Sequence, residues 1–226
     1  MPRLTSYIIP TLNEVESLAA TLQNLANQSG DKEVIVVDGG SDDNTIAIAK
    51  RHGSSVLQCP VGRGLQMNCG ADAAKGDILL FLHADTLLPP NAAQEAASIL
   101  QQPGIIAGSF RLGFNRPSAL LRLYSLCSSI NSPYFTYGDQ GLFIKRTTFH
   151  SLQGFKSYPF LEDIEFQFRL RRLGRFAKSK YSVQTSARRF KRNGALKQQL
   201  LNLAIVAAYR AGVSPYRLKR FYSNLR

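Results

Sequence analysis

His83 and Asp85 stand two residues apart, directly after the apolar run Asp77–Leu82 (DILLFL). In extended backbone such residues point the same way. An imidazole beside a carboxylate can hold Mn2+ or Mg2+, and such an ion neutralises a diphosphate leaving group. Glu162 and Asp163 open the stretch FLEDIEFQFRLRRLG. Acids at a helix start ordinarily complement the helix dipole, but aimed into a cleft one of them becomes a general base. Arg63, between Gly62 and Gly64, can reach a phosphate, and Asn68 follows about one turn into the next helix. Asp38 ends the run EVIVVD, where a carboxylate suits a ribose hydroxyl or a base edge. The glycines after it let the backbone turn tightly beside a ligand. Pro10, Thr11 and Glu14 belong to a further loop, PTLNE. Each segment alone also reads as a plain turn or helix cap.

The elements around these segments put them at one end of a sheet. Leu4–Ile9, Glu33–Asp38, Ser55–Cys59 and Asp77–Leu82 read as strands, and Glu14–Gln28, Asn44–His52 and Leu65–Ala74 as helices. That alternation predicts an α/β fold: a mostly parallel, Rossmann-like sheet with helices on both faces and ligands outside the carboxyl ends of the strands. Further on, helices are expected at Asn91–Leu100, Ser118–Ile130, Asp163–Leu173 and Leu196–Ala211. Strands are expected at Ile105–Leu112, Gly141–Ile144 and Phe176–Val183. Gly174 and Gly212 stand where helix C-caps belong, and Ser214 and Pro215 start a last short helix. With no linker or repeat in view, residues 1–226 read as a single domain. It divides into a nucleotide-binding half (1–112), a catalytic half (113–195) and basic C-terminal helices (196–226).

The chain has 226 residues, 44% hydrophobic and only 19% charged, enough for a sizeable core and against disorder. No stretch has the apolar length of a membrane span, and no signal peptide is legible. Cys59, Cys69 and Cys127 are odd in number and widely spaced, which argues against a disulfide framework or structural zinc and fits a reducing, cytoplasmic compartment. The net charge is +13, and it is unevenly placed: residues 166–226 hold 16 Lys and Arg and no acid. Such a tail seeks phosphates, whether of a nucleotide, a nucleic acid or an anionic membrane. Its scarcity of interleaved aromatics argues against nucleic acid. Leu196–Ala211 is too short to span a bilayer, but it can lie in the interface as a peripheral contact or pack on a homodimer partner.

In order and spacing, IIPTLNE, VIVVDGGSDDNT, GRGLQMNCGADAAKGDILLFLHADT, YGDQGLFIKR and FLEDIEFQFRLRRLG together resemble the family 2 glycosyltransferases, and look closest to short bacterial members. The resemblance implies a GT-A fold, a nucleotide-sugar donor, a hydroxyl acceptor, and Mn2+ or Mg2+; the basic tail and the helix Leu196–Ala211 leave open that this acceptor is lipid-linked. It places Pro10, Thr11, Glu14, Asp38, Gly39, Ser41, Arg63 and Asn68 on the donor side, with Arg188 or Arg189 adding charge at the diphosphate. Asp85 matches the last acid of the D-x-D motif and would bind the metal, and Asp163 matches the catalytic base. Asp139, Gln140 and Glu162 fall on the acceptor side. The motif departs from the family at His83: either the imidazole is a softer ligand, or Asp85 works with water and phosphate alone. The chain has no Trp and no Q-x-x-R-W motif, which argues against a processive role. The resemblance then implies a non-processive hexosyltransferase, and attack opposite the leaving group with a single carboxylate as base makes it an inverting one. The alternatives are a nucleotidyltransferase, although PTLNE stands where its glycine-rich lysine loop belongs, or a non-catalytic nucleotide- or nucleic-acid-binding protein.

Overall fold

The computed structural model describes residues 4–114, 119–185 and 195–224. Four parallel strands carry the first half: β1 (Thr5–Thr11), β2 (Lys32–Asp38), β3 (Ser55–Gln58) and β4 (Ile78–Phe81). Helices α1 (Leu18–Ala26), α2 (Thr45–Arg51) and α3 (Arg63–Ala73) connect them. Beyond β4 come β5 (Thr86–Leu87), α4 (Ala92–Gln101), β6 (Ile105–Phe114), α5 (Ala119–Cys127), β7 (Leu142–Lys145), α6 (Arg146–Ser151), α7 (Glu162–Leu173) and β8 (Arg175–Thr185). Helices α8 (Ala195–Arg210) and α9 (Pro215–Asn224) follow. The strands form one sheet in the order β3-β2-β1-β4-β7-β6-β8-β5.

Alternate side chains of the strands feed two apolar layers. Tyr7, Ile9, Val36, Ile78 and Leu80 pack with Leu18, Leu22 and Leu25 of α1 and with Ala96 and Leu100 of α4. Ile8, Ile35, Val37, Leu79 and Phe81 face the other way, onto Met67 and Ala71 of α3 and Phe166 and Leu170 of α7. The sheet therefore carries helices on both faces, as its near-continuous apolar strands require.

The differences from the sequence reading have local causes. Helix α1 starts at Leu18 rather than Glu14 because Asn13 adopts a left-handed φ of 55°. The next N–H groups are spent on the β2–α2 loop: Glu14 N donates to Thr45 Oγ1 (2.8 Å) and Val15 N to Asp43 Oδ2 (3.3 Å). Strand β7 lies antiparallel between β4 and β6, so the far half of the sheet is mixed. The short elements β5 and α6 were not anticipated. Gly174 ends α7 in extended backbone, whereas Gly212 after α8 takes the expected positive φ of 91°.

The cysteine reading needs correction, because Cys59 and Cys69 form a disulfide. The strand–turn–helix path folds the end of β3 back over α3 and brings the two Cα atoms to 6.7 Å. The expectation of a reducing compartment thereby loses its argument from cysteine spacing. Among the described residues, no helix is long and apolar enough to cross a membrane.

Candidate active site

Two loops close the carboxyl ends of β1 and β2, and Asp38 builds the second from inside. It is fully buried. Its Oδ2 accepts hydrogen bonds from Gly40 N and Ser41 N, both at 2.8 Å, and its Oδ1 accepts from the hydroxyls of Ser41 and Thr11. Burial pushes the carboxyl up, but these hydrogen bonds outweigh it and hold it below the ordinary aspartate range. The expected contact with ribose or base thus meets a carboxylate already committed to its own loop. Gly39 and Ser41, partly exposed above it, remain open to a ligand. Thr11 is buried, while Pro10 and Glu14 are partly buried beside the same loop. Asn13 bridges the two loops: its N–H donates to Ser41 Oγ, and its Oδ1 accepts from Asp42 N.

Gln66 is the residue that sequence reasoning missed here. It is 4% exposed, and its Nε2 donates to the carbonyls of both Thr11 and Val37 at 2.8 Å. It thus joins β1, β2 and α3. A buried amide is tolerated only when paired in this way. The available signal was its phase: Gln66 lies one helical turn before Gly70, on the face of α3 that the core covers. Asn68, expected on the donor side, spends its amide elsewhere. Its Nδ2 donates to Phe155 O and its Oδ1 accepts from Phe155 N, which clamps the loop before α7.

The charged centre lies where the end of β4, the turn at Gly138 and the N-terminus of α7 meet. Asp163 Oδ2 accepts from Gly138 N at 2.7 Å, and its Oδ1 accepts from Ile164 N at 2.8 Å. A side chain on Gly138 would put its Cβ 3.1 Å from that Asp163 oxygen and 3.2 Å from His83 Nε2. The bare Cα is therefore what lets the acid and the imidazole flank the turn. Leu161 enters α7 with a left-handed φ of 65°, an uncommon conformation for a branched residue. It turns Glu162 inward, to 2% exposure, where Arg63 Nη1 lies 3.5 Å from its Oε1.

Arg63 organises the acids. Burial works against its charge, yet Glu162, Asp163, Asp139 and Asp85 around it hold the guanidinium above its ordinary range. Burial pushes the Glu162 carboxyl up, against the pull of Arg63 and with the help of Asp163. Helix α3 brings Arg63 this close because Gly64 has no side chain: a Cβ there would stand 3.0 Å from Lys156 O and 3.3 Å from Glu162 Cβ. Glu165 plays a separate, structural part, paired with Arg169 at 2.7 Å and with Lys156 at 3.0 Å.

Lys178 on β8 was also missed. Its Nζ donates to Gln140 Oε1 and to Ser109 Oγ, the latter at 3.0 Å. Gln140 in turn donates to Phe135 O, so the turn bearing Asp139 is tied to the sheet. Burial pushes the Lys178 ammonium down to about 7, against the pull of Asp139.

The structure thus gathers Arg63, His83, Asp85, Asp139, Glu162 and Asp163 at one place. It puts Asp38, Thr11 and Gln140 inside supporting networks and leaves Asn68 in a clamp. Arg188 and Arg189 lie outside the described residues.

The comparisons with known proteins bear on this arrangement. The family model described as glycosyl transferase family 2 matches residues 6–160. A PGL/p-HBAD biosynthesis glycosyltransferase of Mycobacterium bovis is 42% identical over 91 residues, covering 37% of this chain and 36% of that protein. A 4,4'-diaponeurosporenoate glycosyltransferase of Staphylococcus haemolyticus is 35% identical over 99 residues, covering 40% and 26%. The matched stretch thus spans about a third of the length of these relatives or less. Among solved structures, a mannosyltransferase from Pyrobaculum calidifontis with GDP-Man and Mn2+ superposes with a TM-score of 0.68 at 22% identity, over 95% of this chain and 67% of that one. Glucosyl-3-phosphoglycerate synthase of Mycobacterium tuberculosis with Mn2+ and UDP gives 0.65 at 21% identity, over 93% and 81%. Both likenesses show a shared fold over nearly the whole of this chain. The chain belongs to glycosyl transferase family 2.

Proposed function

We propose that the protein is an inverting, non-processive glycosyltransferase that moves a sugar from a nucleotide-sugar donor to a hydroxyl acceptor. The observation that carries this reading is the meeting of Asp163, His83 and Gly138 beside Arg63 and Asp85, at the carboxyl end of β4. Asp163 is the base. Two backbone N–H groups fix its orientation, so its remaining lone pairs can take the proton of an acceptor hydroxyl as that oxygen attacks the anomeric carbon. Attack from the face opposite the diphosphate inverts the centre, and one carboxylate suffices. Glycosidases, by contrast, work with two.

The donor lies along the loops after β1 and β2, with Pro10, Glu14, Gly39 and Ser41 around the nucleoside. Arg63 supplies positive charge as the diphosphate departs. Among the described residues no three His, Cys, Asp or Glu side chains form a cage. The donors present, a carboxylate at Asp85 with an imidazole at His83, instead fit a hard Mn2+ or Mg2+ that takes its other ligands from phosphate and water. When bound, such an ion supplies charge neutralisation of the leaving diphosphate. The Mn2+ and nucleotide named for the two superposed enzymes support this choice. On the acceptor side, Asp139 stands beside Asp163 on a turn anchored by Gln140.

A thermal-shift screen of nucleotide sugars, each with Mn2+, with Mg2+ and with neither, tests the reading. One donor is expected to raise the melting temperature only when metal is present. A blank across all donors overturns it.

A further inference from the structure

Helix α5 is apolar on both sides. Its inner side is buried through Leu121 and Tyr124, and Tyr124 packs on Phe114 and Tyr137. Burial, and then the neighbouring Asp139, pushes the Tyr124 hydroxyl up, so this side adjoins the acid cluster. Its outer side carries Arg122, Leu123 and Leu126, all exposed; Leu123 is 55% and Leu126 69% accessible. Ile130, just beyond the helix, is 48% exposed. Helix α8 packs against α5 and repeats the pattern. Its exposed residues Lys197, Leu200, Ala204 and Ala207 recur every three or four positions, which places them on one face, and Arg210 stands exposed at its end. Adjacent helices thus turn apolar stripes, edged by basic residues, toward the solvent. Exposed apolar stripes on two helices in contact point to a docking site rather than to chance exposure.

Charge decides the occupant. The net charge of the chain is +13, and its last 61 residues, 166–226, contain no acid. A second copy would set like charges against each other. An anionic bilayer offers both parts of the match: phosphates for the basic rim and an acyl boundary for the leucines. We propose that the outer faces of α5 and α8 form one surface that seats the protein on anionic lipid. Leu123, Leu126 and Leu200 enter the headgroup boundary, and Arg122, Lys197 and Arg210 meet the phosphates. Because the inner side of α5 adjoins Tyr137 and Asp139, this seating holds the acceptor side of the site one helix away from the membrane surface and favours a hydroxyl on an amphiphile. Only that last consequence rests on the glycosyl-transfer reading.

The test is flotation of the full chain with vesicles of phosphatidylglycerol and phosphatidylcholine, against phosphatidylcholine alone. Binding is expected to the anionic vesicles at low salt and to fade as salt screens the charges. The combined change Leu123→Ser, Leu126→Ser and Leu200→Ser is expected to weaken it roughly tenfold or more, with the parent circular dichroism spectrum and the parent donor-induced melting shift retained. The chain has no tryptophan, so Leu126→Trp supplies a single reporter whose emission moves to the blue on anionic vesicles, even if the triple variant folds poorly. Absence of flotation at low salt overturns the proposal. So does flotation without a blue shift, or a leucine-dependent dimer that ignores vesicles. The donor-induced melting shift is read separately, so failure of the membrane surface and failure of the glycosyl-transfer reading cannot be confused.

Discussion

Asp38 and Asp163 are both carboxylates held by backbone N–H groups beside a glycine turn, and the fold puts them to opposite uses. Asp38 is fully buried, and both its oxygens are filled by its own loop and by Thr11. Asp163 is only partly buried and accepts one N–H on each oxygen. Its neighbours differ as well. Around Asp38 the polar groups satisfy one another, with Gln66 closing the gap between two strands. Around Asp163, three further acids crowd a single arginine. A self-satisfied network rigidifies a loop, whereas crowded charge is stored for a ligand to relieve. The loop around Asp38 is therefore built as a scaffold, and in the proposed function the acid cluster is the reactive end.

The sharpest way to break this contrast is to make the same change at both places. Asp163→Asn keeps an oxygen for one N–H but removes the proposed base. Turnover is expected to fall about 10³-fold, within the range for general-base catalysis, with the melting temperature nearly unchanged and donor binding retained. Undiminished turnover removes Asp163 from the chemistry. Asp85→Ala should act next most strongly, weakening donor binding in the presence of Mn2+ by about 100-fold while leaving the metal-free affinity alone. Calorimetry with and without Mn2+ separates the two, and an equal loss in both conditions would make Asp85 structural. Asp38→Asn should reverse the pattern. An amide cannot accept all the hydrogen bonds the carboxylate takes, so stability should drop by about 2 kcal/mol in urea unfolding, with turnover reduced only through looser donor binding.

The same contrast explains what could be read beforehand. Asp38 ends the short apolar strand EVIVVD and Asp85 comes just after DILLFL, and chain order alone places such ends together in a parallel sheet, while the metal role of Asp85 came from the family resemblance. Glu162 and Asp163 were legible as acids opening a periodic helix, and their roles came from the family resemblance. Local pattern, however, carries no strand direction, so the antiparallel insertion of β7 was invisible, and two residues of β5 have no period at all. Gln66 and Lys178 escaped for a related reason. A polar residue in an amphipathic segment reads as solvent-facing until the partners that bury it are known, and here those partners are 29 to 69 positions away. The disulfide escaped because a ten-residue separation matches no cysteine motif, and only the fold-back of β3 onto α3 creates it.

Lys178 offers the finest test of how the two regions differ, because it anchors the reactive side through a buried charge. Its ammonium is pushed down to about 7 by burial; Asp139 pulls the other way, and Arg171 and Arg111 add to the push. In an unfolded chain a lysine titrates near 10.4. Below pH ~7 both states are protonated, and the folded state bears the full cost of the buried charge. Between ~7 and ~10.4 the unfolded chain holds a proton that the folded chain has released, so stability rises with pH by roughly 1.4 kcal/mol per pH unit from this group alone. Lys178→Met removes the titration and keeps most of the volume. The parent is therefore expected to gain on the variant as the pH is raised from 7 to 9 in paired urea titrations, since all other groups cancel in the difference. Turnover in the variant should fall modestly, because Gln140 loses its partner and the turn carrying Asp139 loosens. Parallel pH slopes for parent and variant would mean that the ammonium is hydrated in solution, and that the turn owes its position to Gln140 and Phe135 alone.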